Sequence, residues 1–382
     1  MSNQIPKNWQ KVKLEDITLQ ICRGFQPSYT EDDGLTVINQ KCIRDGKINF
    51  EEARLSDLKK KSISADKYLE ILDILINSTG TGTVGRVGQL INIKSLLSFD
   101  SHVTLVRPDK TKVDGRYLGY KLWQLERLFE NLAEGSTNQV ELGRDRIRNL
   151  EILLPSLSEQ GQIAPILSAF DDKIEVNNKI AKTLEEIPQA IFKEWFSRSE
   201  EPEGKLSDIA EIKMGQSPPS EFYNSVGNGL PFHQGVTNFG NRFPKHEVYC
   251  TQNNRIAEAG DLLFSVRAPV GRINIADTKI SLGRGVASIR HKNGYQSYLY
   301  YLLKRLFKKE DSLGGGSVFP AVTKDEMEGM KIMLPNDQII EKFEKIVRDM
   351  DKKIEVIEKE NQRLVALRDL LLPKLMSGEV RL

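Results

Sequence analysis

Cysteine is scarce in this chain: Cys22, Cys42 and Cys250 are the three in 382 residues, and none belongs to a CxxC pair. That pattern supports neither a zinc ribbon nor a disulfide framework, and it suits a reducing compartment. No apolar run reaches the ~18 residues of a membrane span. Met1 to Gln10 also lacks the basic start and apolar core of a secretion signal. A soluble, cytoplasmic protein is expected. Histidine is sparse too: His102, His233, His246 and His291 show no HxxxH spacing and no acidic cluster, so no metal site is expected. An excess of one charge is also lacking. The 55 basic and 53 acidic residues leave a net +2, which neither demands nor excludes a polyanionic partner.

Catalytic motifs are missing in the same way. Gly46-Lys47 is followed by Ile48 and Gly204-Lys205 by Leu206, where a phosphate motor needs Ser or Thr after the lysine. Ser217-Pro218-Pro219-Ser220 is similar to the Asp-Pro-Pro-Tyr loop that holds a flipped adenine, but Ser220 stands where the aromatic is required. Gly80-Thr81-Gly82-Thr83-Val84-Gly85 fits G-x-G-x-x-G. The residues after Gly85 are strand-like, though, and a dinucleotide site needs a helix there. Carboxylate pairs such as Asp171-Asp172 and Glu185-Glu186 lie in helical stretches and read as solvated faces. No cofactor is expected in this chain.

What the chain does have is a repeat. Arg144 to Leu154, ending at Pro155, matches Lys324 to Leu334, ending at Pro335, at an offset of 180 residues. The same offset sets Lys173-Ile174-Glu175-Val176 on Lys353-Ile354-Glu355-Val356, Leu184 on Leu364 and Ile191 on Leu371. Upstream the order persists with small insertions. Leu14-Glu15-Asp16-Ile17 resembles Leu206-Ser207-Asp208-Ile209, Asp73-Ile74-Leu75-Ile76 resembles Asp261-Leu262-Leu263-Phe264, and Gly85-Arg86 resembles Gly271-Arg272. Each copy is a globular segment followed by a long helical one.

The helical segments carry apolar residues at spacings of three and four, Ile163, Leu167, Phe170, Ile174 and onward in one, Val347, Met350, Ile354 and Ile357 in the other. Asn177 and Asn361 each interrupt a seam, as register-setting residues of coiled coils do. Two matched seams are expected to pair with each other rather than each pack on its own domain. Ser156 to Glu159 and Asn336 or Asp337 mark the helix starts. Pro165 and Pro188 predict a kink or short break. About 33 helical residues would span roughly 50 Å.

The globular segments predict α+β domains. Short strands are expected over Leu35–Asn39, Asp73–Asn77 and Ser101–Val106, and a covering helix over Tyr117 to Asn131, matched by Tyr298 to Lys308. Polar residues in glycine-containing turns suit a nucleic-acid surface, because Arg and Lys grip phosphate or guanine edges while Asn and Gln pair with adenine. Candidates are Arg23, Lys41, Arg86, Asn138, Gln139 and Arg144 in the first half, and Gln216, Gln234, Arg267, Arg272, Arg284 and Ser317 in the second.

The layout resembles the specificity subunit of type I restriction-modification enzymes over essentially the whole chain. Carrying segments are Trp9 to Ile17, the two Gly-Arg turns, Ile152-Leu153-Leu154-Pro155 with Glu159-Gln160, Ile191 to Phe196, and the closing Leu371 to Glu379. The second copy departs at Asp337-Gln338. The resemblance implies target-recognition domains at 1–155 and 199–335, with helical spacers at 156–198 and 336–382 forming an antiparallel coiled coil. It further implies a bipartite double-stranded DNA target, two adenine methyltransferase subunits docked on the helices, and a motor-nuclease restriction subunit. S-adenosylmethionine, ATP and magnesium would belong to those partners. A scaffold whose two heads bind proteins is the alternative from another class.

Overall fold

A computed structural model describes residues 8–93, 95–135, 140–196, 202–307, 312–313, 317–318 and 321–382. The chain divides into two compact units, Met1–Ile174 with Arg363–Leu382, and Glu175–Gln362. Both are mixed α+β, and each contains segments of two long helices, Leu157–Trp195 and Asp337–Ser377.

Unit one is built on a six-stranded sheet ordered Thr18–Arg23, Val103–Pro108, Ile74–Asn77, Val87–Gln89, Gly46–Ile48, Ile43–Arg44. The strand Ile74–Asn77 is buried throughout, which accounts for its unbroken Ile-Leu-Ile run. A second sheet pairs Leu97–Phe99 parallel to Leu35–Ile38, with Arg54–Ser56 and Tyr29–Thr30 beyond. The unit's globular part is closed by Gln10–Lys13 pairing antiparallel with Glu151–Leu154.

Unit two repeats this plan. Its first sheet runs Ala210–Met214, Val286–His291, Leu262–Ser265, Ile273–Ile275. Its second contains the parallel pair Leu230–His233 and Ile280–Leu282. Glu203–Lys205 closes on Lys331–Met333. The sequence matches at Leu14–Ile17 and Leu206–Ile209 are thus the short helical turns directly after each closing strand.

The covering helix of unit one starts at Asp114, whose carboxylate accepts from the Tyr117 amide at 2.8 Å. It runs Gly115–Gln124 and is succeeded by a separate helix, Glu126–Leu132, so the single expected helix is divided at Leu125. At the division Glu126 Oε1 accepts from the Val87 amide at 2.7 Å, which ties the second helix to a sheet strand. In unit two one helix, Gln296–Leu306, occupies the same place in the chain order.

Gly85 and Gly271 explain the matched Gly-Arg turns. Both have positive φ, 84° and 93°. A Cβ on Gly85 would lie 2.7 Å from the Glu130 amide nitrogen, and one on Gly271 would lie 2.8 Å from the Phe307 ring. The chain must be bare at both positions to turn against helix Glu126–Leu132 in one unit and the end of helix Gln296–Leu306 in the other.

The long helices carry the cores outward from the sheets. In unit one Ile163, Leu167, Leu372 and Leu375 are buried with Tyr117 and Phe129. In unit two Phe192, Phe196 and Phe343 are buried with Tyr298, and the Phe192 and Phe343 rings meet edge to face with centroids 5.6 Å apart. Burial of one such ring stabilises by roughly 1.5–3 kcal/mol. The contact order reverses along the helices in this unit: Asn177 meets Asn361, whereas the later Phe192 meets the earlier Phe343.

Of the kink or short break expected at Pro165 and Pro188, the break does not occur, since helix runs unbroken from Leu157 to Trp195. Each proline removes one intrahelical donor, but its neighbours are held by packing. Ile163, Ala164 and Leu167 are buried around the first, and Phe192 is buried one turn past the second. The second long helix likewise continues through Pro373.

The Glu159-Gln160 pair also acquires a physical meaning. Glu159 accepts from Trp9 Nε1 and Asn8 Nδ2, both at 3.1 Å. The buried Gln160 donates to the Pro155 carbonyl and accepts from the Asp114 amide, both at 2.8 Å. The pair fastens the start of the long helix to the residues just before the domain's first strand and to the cap of its covering helix.

Candidate nucleic-acid interface

At one edge of unit two, four chain segments far apart in sequence converge on the turn Gly283-Arg284-Gly285. The Gly283 amide donates to the His233 carbonyl at 2.9 Å, the Gly285 amide to Gln234 at 3.1 Å and the Arg284 amide to Ser217 Oγ at 3.1 Å. The Gln216 amide donates to Leu282 at 2.9 Å, the Val266 amide to Gly285 at 3.0 Å and the Val322 amide to Val266 at 2.9 Å. Glycines permit the approach: a Cβ on Gly215 would lie 2.2 Å from the Gly283 carbonyl, and one on Gly285 2.3 Å from the Gln234 carbonyl. Gln216, Gln234, Arg267 and Arg284 all project from this cluster and are exposed.

Unit one repeats five backbone bonds of this cluster, although the His102 amide, equivalent to that of Gly285, donates to Asp100 Oδ1 at 2.8 Å instead. The Gly24 amide donates to Val103 as Gly215 does to Val286, and Phe25 to Phe99 as Gln216 does to Leu282. Asp100 donates to Ile38, Ser78 to His102 and Leu142 to Ser78, reproducing Gly283 to His233, Val266 to Gly285 and Val322 to Val266. The bridge between Thr79 and Glu141 likewise reproduces that between Arg267 and Ala321. The positions equivalent to Gln216, Gln234, Arg267 and Arg284 are therefore Phe25, Asn39, Thr79 and Ser101.

The polar groups of the unit-one cluster bind one another. Thr79 Oγ1 lies 2.9 Å from His102 Nδ1 and accepts from Gln40 Nε2 at 2.6 Å. Asn39 Nδ2 donates to the Glu52 carbonyl at 2.7 Å and Ser101 Oγ to Asp100 at 3.2 Å. A cleft of about 390 Å³ beside them is lined by Tyr29, Gln40, Lys41, Arg54, Asp100 and His102. The Arg54 guanidinium sits 3.7 Å over the Tyr29 ring, and the Tyr29 hydroxyl bonds Asp100.

The sequence candidates fall into groups. Gln216, Gln234, Arg267 and Arg284 meet in the unit-two cluster, and Lys41 lines the unit-one cleft. Arg23 borders the unit-one cluster, with Nη2 donating to Glu141 and to the Leu142 carbonyl, each at 2.7 Å. Arg144 opens a short helix and shares a second cleft with Glu134 and Glu141.

Arg86 stands apart, with Nη2 donating to the Gly82 carbonyl of its own turn at 2.8 Å. That turn joins two antiparallel strands, which is where the G-x-G-x-x-G glycines are used. The Arg272 amide donates to Ser265 Oγ at 2.8 Å, closing the matched turn. Asn138, Gln139 and the Ser317 side chain lie outside the described residues. Sequence reasoning missed Phe25, Gln40, Thr79 and His102. The signal that marks them is Gly24 and Gly215, each one residue past the matched strand.

Behind Gln234 lies a histidine chain. His233 Nε2 is 3.1 Å from His246 Nδ1, and His246 Nε2 is 2.9 Å from Asp277 Oδ1. Burial pushes the His233 imidazole down to about 4, with His246 adding to the effect and Asp277 opposing it. His233 is accordingly neutral at neutral pH and supports the turn through its carbonyl. Among the described residues no group of three or more His, Cys, Asp or Glu could hold a metal ion, and no helix is long and apolar enough to cross a membrane.

Two tandem α+β domains, each ending in a cluster of polar turns and alternating with long helices, define a two-headed recognition protein. The chain belongs to the family of the type I restriction modification DNA specificity domain, whose profile matches residues 6–186 and again 200–366. It is 32% identical to the putative type I restriction enzyme MjaX specificity subunit of Methanocaldococcus jannaschii, over 99% of this chain and 95% of that one. Against the type I restriction enzyme HindI specificity subunit of Haemophilus influenzae it is 22% identical, over 98% of this chain and 100% of that one. The fold is similar to the crystal structure of a type I restriction-modification S subunit from M. genitalium, with a TM-score of 0.61 at 21% identity, covering 98% of this chain and 97% of that one.

Proposed function

We propose that this chain is the DNA-recognition subunit of a type I restriction-modification complex, and that each globular domain reads one half of a bipartite target. The observation that carries this is the duplicated turn cluster: one hydrogen-bonded scaffold, built twice, displaying different side chains. A scaffold held fixed while its display varies suits a reader of sequence. The recognition domains are 1–155 and 199–335, with spacers at 156–198 and 336–382. The chain is non-catalytic; adenine methylation and ATP-dependent cleavage, with S-adenosylmethionine, ATP and magnesium, belong to partner subunits in the cytoplasm.

The two spacers form an antiparallel coiled coil that sets the unread gap between half-sites. The reversed contact order of Asn177 with Asn361 and Phe192 with Phe343 supports this, with the asparagines fixing register. The coiled coil also docks two methyltransferase subunits. Val176 and Val356 are 49% and 57% exposed, Ile187 and Leu367 are 40% and 48% exposed, and each pair is one repeat apart. Apolar side chains left bare at equivalent positions suit two copies of one partner.

Salt-dependent binding to duplex DNA tests the recognition role, because phosphate contacts release counterions. Log affinity falling linearly with log salt is expected. Binding that ignores salt, or no binding with the methyltransferase bound, overturns it.

A further inference from the structure

The equivalent turn clusters of the two units differ in one chemical respect. In unit one the polar side chains at the cluster are largely satisfied by one another: Thr79 with His102 and Gln40, Asn39 with the Glu52 carbonyl, Ser101 with Asp100. In unit two, among the described residues, the side chains of Gln216, Gln234, Arg267 and Arg284 have no hydrogen-bond or ion-pair partner. Their backbones are nonetheless fixed. Arg284 lies between two glycines, its amide bound to Ser217 Oγ, and Arg267 is bridged to Ala321. Unpaired guanidiniums on a rigid turn are donors awaiting a planar acceptor pair.

We propose that the half-site read by unit two contains guanine, and that Arg267 and Arg284 recognise it through the O6 and N7 edge in the major groove. This rests on the DNA-recognition reading above and adds the base class and the residues. A guanidinium presents two parallel N–H groups that match the two acceptors of guanine, whereas no other base offers two acceptors on that edge. Gln216 and Gln234 flank the arginines with groups suited to adenine. Unit one has no arginine at the equivalent positions, where Phe25, Asn39, Thr79 and Ser101 stand. Its half-site is read with hydroxyl, amide and aromatic groups instead.

The test is to map methyladenine across DNA in cells that express the intact chain, or its R267A, R284A or R284K variants, with the cognate methyltransferase subunit. All three changes fall on exposed side chains without partners, so thermal stability stays within about 0.5 kcal/mol of wild type. The expected result is that each alanine variant loses the requirement at one G·C pair in the same half of the motif. The other half and the spacer are unchanged, and discrimination falls about 5- to 150-fold at that position, corresponding to ~1–3 kcal/mol.

R284K, which keeps charge without the fork, relaxes the same position. Uniform loss of methylation with every motif position still required assigns the arginines to phosphate and overturns the proposal. Relaxation in both halves, at an A·T pair, or nowhere also overturns it. These outcomes leave the recognition role standing, because wild type still methylates a split motif. If wild type methylates no split motif, the underlying reading fails.

Discussion

Asn177 Nδ2 donates to Asn361 Oδ1 at 2.8 Å, and Asn361 Nδ2 donates to Asn178 Oδ1 at 2.9 Å. Asn177 also donates to Glu360 at 2.7 Å and is only 1% exposed. Two residues, one from each repeat copy and each interrupting an apolar seam, are thus each other's partners.

The pairing predicts a double-mutant signature. Asn177→Leu alone leaves the inward face of Asn361 unsatisfied and costs about 1–3 kcal/mol. The double change N177L/N361L replaces both groups by apolar ones and recovers most of that loss. Denaturant titration of the four chains checks this. Additive losses in the double variant contradict it.

A second buried lock lies in unit one. Arg368 donates to Asp171 at 2.7 Å, stacks 4.6 Å over the Trp123 ring and is almost wholly buried. Asp171 also accepts from the Tyr120 hydroxyl at 2.6 Å and pairs with Lys47 at 3.3 Å. Burial opposes its ionisation, yet Tyr120, Lys47 and Arg368 together hold its carboxyl below the ordinary carboxylate range. Arg368→Met is expected to cost about 3–5 kcal/mol, since it leaves a buried carboxylate short of its partner. Asp171→Asn in the same chain recovers part of it, as thermal melts will show. The stability due to ionised Asp171 is present above the unfolded carboxyl pKa of ~3.9 and is lost as pH falls through the lower folded value.

The second unit should weaken in mild acid through His233. Its folded pKa of about 4 lies below the unfolded value of ~6.5. Between those values the unfolded chain binds a proton that the folded chain refuses, so stability falls as pH drops from 6.5 towards 4. Glu358 works in the opposite direction. Burial raises its carboxyl to about 7, with Glu185 adding to the shift and Arg242 opposing it, so its penalty grows as pH rises. The clean measurement is the stability difference between wild type and His233→Gln. It should shrink by on the order of 2–3 kcal/mol between pH 7 and 4.5. A difference independent of pH contradicts the assignment.

Gly24→Ala and Gly215→Ala should each damage one recognition head. Their Cβ atoms would lie 2.2 Å from the carbonyl oxygens of Phe99 and Gly283, so the facing turn must move. A cost of about 1–3 kcal/mol is expected, with recognition of one half-site lost in each case. Thermal melts together with methylation maps check both. Wild-type recognition by either variant contradicts the placement of the interface.

Much of this architecture was legible because duplication leaves its mark in linear order. The 180-residue offset and the three-and-four spacing needed no long-range information, and the asparagine pair came directly from them. The candidate interface was less legible. Its turns are joined by sheet order, above all by the parallel pairs Leu35–Ile38 with Leu97–Phe99 and Leu230–His233 with Ile280–Leu282, which bring together residues with no local signal. Charge-based choice favoured Arg23 and Arg86, whose guanidiniums are engaged by Glu141 and Gly82, over the uncharged Thr79 and Phe25. That the helix runs on through Pro165 and Pro188 was not legible for a different reason. The cost of a missing helical donor is local, whereas the packing that outweighs it is tertiary.

Whether this chain selects the DNA sequence is decided by expressing it with its cognate methyltransferase subunit and mapping methyladenine by single-molecule sequencing. Methylation is expected to be confined to one split motif, two short specified halves around an unspecified spacer. A methyltransferase that co-purifies with the chain yet leaves no split motif would contradict it and make the chain a scaffold.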